Sequence, residues 1–117
     1  MTNEIKLNGT ALAGRLRKAL AGKRAVGEKK MFGGVCFLLR EHMLCGTGNP
    51  GFMFRVGKAQ HAKAVARRGA SAVVLNGRTF EGFVWVDAAG CDARALRGWL
   101  ALAEKYVKSL PPKKGKG

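Results

Sequence analysis

Leucines recur every fourth residue near the start of the chain, at Leu12, Leu16 and Leu20, with Ala13 and Ala19 beside them and Arg15, Arg17 and Lys18 off the stripe. That spacing predicts a short amphipathic helix over residues 10–21, with Thr10 as its N-cap and Gly22 as the left-handed residue past its end. A basic, glycine-containing loop from Lys23 to Lys30 is expected to follow. From Met31 the period becomes extended. Residues 31–39, Met-Phe-Gly-Gly-Val-Cys-Phe-Leu-Leu, are apolar on both parities, which predicts a central strand buried on both faces. Arg40, Glu41 and His42 form a polar turn before a second strand beginning at Met43. The turn Asn49-Pro50-Gly51 precedes a third strand, Phe52 to Val56. Such short connections exclude crossover helices and predict an antiparallel meander.

A modest helix over 58–68 should turn Ala59, Ala62, Val65 and Ala66 inward. Two further strands, 72–75 and 79–86, flank Asn76-Gly77, the dipeptide suited to a type I′ hairpin. In the second of them Phe80, Val84 and Val86 fall on one face, and Glu81, Phe83, Trp85 and Asp87 on the other. Asp92 can cap a last helix whose apolar stripe is Leu96, Trp99, Leu100, Ala103, Val107 and Leu110, stopped by Pro111-Pro112. The fold class is α+β, a two-layer arrangement of helices on an antiparallel sheet in the order α-β-β-β-α-β-β-α. Residues 1–112 read as one domain and residues 113–117, Lys-Lys-Gly-Lys-Gly, as a disordered basic tail.

Charge changes the picture most. The 117 residues carry 22 Lys and Arg against 7 Asp and Glu, a net +15, of which residues 1–30 and 105–117 together contribute +11. An excess of this size draws in polyanions and favours nucleic acid by counterion release, without specifying a sequence. The candidate phosphate contacts are Arg15, Arg17, Lys18, Lys23, Arg24, Lys29 and Lys30, with Lys113 and Lys114 in the tail. Phe83 and Trp85 share a sheet face with Arg55. They form either a stacking surface for unpaired bases or a face that a helix or a partner subunit covers.

Chemistry at a catalytic centre finds no foothold in the sequence. The seven acids fall at turns, element ends or outer faces, and His42 and His61 read as solvated. Cys36, Cys45 and Cys91 are odd in number and lack a Cys-x-x-Cys pair; Cys36 and Cys45 lie in apolar stretches and read as small buried hydrophobes, Cys91 sits at a predicted helix start with no basic neighbour nearer than Arg94, and a reducing compartment fits all three. Gly46-Thr47-Gly48-Asn49-Pro50-Gly51 has the spacing of a dinucleotide-binding turn, but a strand follows it where a helix is needed. The sequence therefore predicts no enzyme, no metal and no cofactor. No apolar run is long enough to span a bilayer, and no secretory leader opens the chain, so a cytoplasmic protein without membrane contact is expected.

Met31-Phe32-Gly33-Gly34-Val35, the Phe-Met-Phe-Arg-Val-Gly stretch at 52–57, Gly82-Phe83-Val84-Trp85-Val86-Asp87, and the Trp99 helix ending in Ser109-Leu110-Pro111-Pro112-Lys113 together resemble the TfoX/Sxy N-terminal domain family. The resemblance runs from about residue 10 to 113. It implies that family's two-layer fold and a role like that of its better-known members, regulators of DNA-uptake competence that act beside the cyclic-AMP receptor protein at promoters. It implies no catalytic residues. Full-length members continue into a C-terminal helical domain, whereas this chain stops at Gly117 and reads as the N-terminal domain standing alone. Two kinds of partner fit: DNA or RNA held by the basic ends, or a protein, including a second copy of the chain, with the charge serving solubility alone.

Overall fold

A computed structural model describes residues 3–23, 26–31, 34–48 and 51–111; for residues 3–10, 31 and 75 only the backbone is described. The elements are α1 (Asn3–Ala19), β1 (Val26–Met31), β2 (Gly34–Leu39), β3 (His42–Gly48), β4 (Gly51–Arg55), α2 (Lys58–Val65), β5 (Ala70–Leu75), β6 (Arg78–Asp87), a 3-10 turn at Ala88–Gly90, and α3 (Ala93–Lys108). The six strands form one sheet in the order β1-β2-β3-β4-β6-β5, antiparallel throughout. The α+β class and the helix-on-sheet layering agree with the sequence reading.

The element order differs from that reading by one strand. Val26–Met31 pairs with β2 along its whole length, where the sequence predicts a loop from Lys23 to Lys30. Lysines and a glycine conceal it because the strand lies at the sheet edge, where charged side chains discourage pairing with another chain. Met31 consequently ends β1 and does not open the next strand, which starts at Gly34. A Cβ on Gly34 would stand 2.0 Å from the carbonyl oxygen of Thr47, so glycine there permits the backbones of β2 and β3 to close up.

Helix α1 begins at Asn3, seven residues before the expected start, which places Thr10 inside the helix and not at its cap. Gly22 does take positive φ beyond its end, at 85°. Asp92 caps α3 as predicted, its side chain accepting from the N–H of Ala95 at 2.8 Å. The α3 stripe is buried as far as Val107. Leu12 and Leu16 of α1, Leu20 just past its end, the α3 stripe, and Phe52, Phe54, Val84 and Val86 of the sheet share one core, with the Phe54 and Trp99 rings stacked at 5.6 Å.

Helix α2 departs further from expectation. It stops at Val65, and of the four residues predicted to face inward, Ala59, Ala62 and Ala66 are exposed and Val65 is half-buried. The inward stripe is His61, Ala64 and Val65, at the spacing of one helical face. His61 is a partly buried anchor, not the solvated residue its sequence context suggests: its Nδ1 accepts the N–H of Gly82 at 2.9 Å. Gly82 sits at φ 91° in an irregularity of β6, and its carbonyl accepts the N–H groups of Val56 and Gly57. That bulge breaks the strict alternation expected of β6, and Phe80 lies 38% exposed.

Candidate nucleic-acid interface

Two long-range contacts fix how the helices lie. The Arg15 guanidinium donates to the carbonyl of Cys91 at the start of α3 and sits 5.1 Å from the centre of the Phe52 ring. Eight residues later, Lys23 pairs with Glu104 at 3.2 Å near the end of α3. Arg15, in the second half of α1, therefore meets the residue that leads into α3, and Lys23, past the end of α1, meets α3 further along, while both helices pack into the one core on the sheet.

With its apolar stripe on the sheet, α3 turns the opposite side to solvent. Arg94, Arg97, Lys105 and Lys108 are all exposed, and at 100° per residue they fall within an arc of about 80°. From the first to the last they extend roughly 21 Å along the helix axis. The only acid in α3 is Glu104; it flanks this arc, is largely buried and is paired with Lys23. The result is a basic stripe uninterrupted by negative charge. Sequence reasoning passed over these four bases because they belong to two different charge segments of the chain. Their three- and four-residue spacing, read against the apolar stripe, was the signal available.

The bases singled out from the sequence divide into distinct environments. Arg15 is tied down as described above, and Lys23 is held by Glu104. Arg17 grips Glu28 of β1 through two hydrogen bonds of 2.7 and 2.9 Å, which holds the Glu28 carboxyl below its ordinary pKa. Lys18 on α1 and Lys29 and Lys30 on β1 are exposed. Arg24, Lys113 and Lys114 lie outside the described residues.

Phe83, Trp85 and Arg55 meet only in part. The Arg55 guanidinium stands 5.6 Å from both the Phe83 and the Tyr106 ring centres, so two aromatic faces of the protein itself occupy it. Phe83 meets Phe80 edge-on at 6.4 Å. Trp85 reaches Gly48, where a Cβ would come within 2.6 Å of the indole; glycine at that position lets the far edge of the ring close on the strand. Both Phe83 and Trp85 are half-buried.

The remaining polar chemistry serves structure. Burial raises the thiol pKa of Cys36, Cys45 and Cys91; at Cys45 the neighbouring Cys36 and Glu104 add to it, while at Cys91 Arg15 partly offsets it. Thiols held protonated in this way are poor nucleophiles. His42 opens β3, and its Nε2 contacts the Pro111 carbonyl at 2.8 Å, so neither histidine is simply solvated. Among the described residues no group of three or more His, Cys, Asp or Glu is placed to hold a metal ion, and no helix is long and apolar enough to cross a membrane.

These features define a small helix-on-sheet domain whose distinctive surface is basic and whose reactive groups are engaged internally. The chain belongs to the TfoX N-terminal domain family, which it matches over residues 18–106. No curated protein and no solved structure matches it. Membership supports a regulatory or accessory role, in a family not known for enzymatic activity.

Proposed function

We propose that this domain is a non-enzymatic regulator or accessory factor that associates with nucleic acid in the cytoplasm by phosphate contacts along the outer face of α3. The observation that carries this reading is the set Arg94, Arg97, Lys105 and Lys108, aligned on one face while the helix's single acid is turned aside to Lys23. The distribution of acids supports it. Glu28 and Glu104 are paired with bases, and with 22 Lys and Arg against 7 Asp and Glu the other acids are too few to offset the exposed bases. Contacts of this kind position a protein on a duplex without reading bases, which suits a factor that joins a promoter complex already specified by another protein, as in competence regulation.

The test is fluorescence anisotropy with labelled duplex DNA, single-stranded DNA and RNA, begun at about 50 mM salt and repeated as salt rises. Binding that is tolerant of sequence and falls steeply with salt is expected. No binding to any of the three at low salt would remove the proposal.

A further inference from the structure

The two edges of the sheet are chemically unlike. At β1 the exposed side chains include Glu28, Lys29 and Lys30, which blunt an edge against pairing. At β5 there is no such protection. Gly-Ala-Ser-Ala-Val-Val-Leu-Asn-Gly, residues 69–77, is an uncharged run rich in β-formers, and Val74 is 52% exposed.

The ladder shows which groups of β5 are unused. The N–H of Asp87 bonds to the carbonyl of Gly69, and the register Ala70↔Val86, Ser71↔Trp85, Ala72↔Val84 continues from that bonded pair. Bonded and non-bonded pairs alternate, so Ser71 bonds to β6 and Ala72 does not. At the other end the two-residue turn Asn76-Gly77, with φ 53° and 74°, closes on the Leu75↔Arg78 pair, which leaves Val74 in the non-bonded position opposite Thr79. The main-chain N–H and C=O groups of Ala72 and Val74 thus point away from the sheet.

We propose that two copies of the chain pair antiparallel through these edges, with Ala72 opposite its own counterpart on a two-fold axis. An isologous strand pair is self-complementary by construction. In this register Val74 faces the partner's Ala70, and since β5, Ala70–Leu75, carries no charged residue, no like charges stand opposed within the ladder. The axis runs perpendicular to the sheet. Two six-stranded sheets become one continuous sheet, with both helical layers, and therefore both α3 stripes, on the same side.

Salt separates this pairing from nucleic-acid binding. Each copy carries +15, so screening relieves repulsion between copies while it weakens phosphate contacts. Sedimentation equilibrium across a dilution series should show a dimer that strengthens several-fold as salt rises. Val74→Lys, at an exposed position, should weaken it by at least about tenfold by placing a gatekeeper charge on the edge. Amide exchange on the unaltered chain supplies an independent readout: the Ala72 and Val74 amides should become protected as concentration rises. A wild-type monomer throughout the series at high salt, or a dimer that Val74→Lys leaves intact while both amides stay unprotected, would overturn the pairing, whatever the anisotropy result.

Discussion

The N–H of Gly82 donates to Nδ1 of His61 across 2.9 Å, and this bond joins the middle of α2 to the bulge in β6. The imidazole can accept only while Nδ1 carries a lone pair. Replacing His61 with Ala leaves a main-chain donor without its partner, at a cost of about 1–3 kcal/mol. Urea denaturation should show the loss as a lower midpoint at unchanged slope. An unchanged midpoint would mean that water replaces the ring at no cost.

Gly48 and Trp85 form a close pairing of the same kind. A Cβ at position 48 would stand 2.6 Å from the indole, and the ring is one of two Trp in the chain. Gly48→Ala should displace the Trp85 ring and cost about 1–3 kcal/mol by overpacking. In a heteronuclear NMR spectrum the Trp85 indole N–H should move while that of Trp99, which is stacked on Phe54 in the other layer, stays close to its wild-type position.

The three thiols should behave as buried groups. Burial raises the pKa of each in the folded state, so the native protein holds these protons more tightly than the unfolded chain does. The resulting stabilisation is complete below the unfolded thiol pKa and is not lost by protonation; stability declines only as pH rises past that value, because the unfolded chain then ionises first. A thiol reagent at mildly alkaline pH should label the native protein slowly and the urea-unfolded protein at once. Rapid labelling of any one cysteine under native conditions would show that its neighbourhood opens.

On the basic stripe, the fourfold change Arg94→Gln, Arg97→Gln, Lys105→Gln, Lys108→Gln should abolish most nucleic-acid binding and leave the fold intact. If each base meets one phosphate, the slope of log affinity against log salt should fall by about 3.6 on duplex DNA. Changing Arg17 to Gln should do less to binding, since Glu28 already engages it. Its effect on stability should also be small, because both partners are well exposed. Equal loss of binding from both variants would show that diffuse charge, and not the α3 face, carries the association.

Legibility in the sequence followed the range of the interaction. The α3 stripe and its Asp92 cap, the Asn76-Gly77 turn and the Phe52–Val56 strand were readable because each is set by neighbours within four residues. Strand β1 was not, since Val-Gly-Glu-Lys-Lys-Met has no apolar alternation and becomes a strand only by pairing with β2. The inward face of α2 was misjudged for a related reason. Its alanines carry little apolar area, and a hydrogen bond to a residue 21 positions away decides which side turns in.

By itself the sequence determined the α+β class, the strongly periodic helix and strands, the family, and an excess of positive charge. Only the tertiary structure decided which of those charges are paired and which stand exposed. Arg15 and Cys91 are 76 residues apart, and Lys23 meets Glu104 from the far side of the chain. Local periodicity expresses covalent spacing and backbone geometry, which the sequence states directly. Which base is paired and which is free, and which strand is left at an edge, depends on elements that meet only when the core closes.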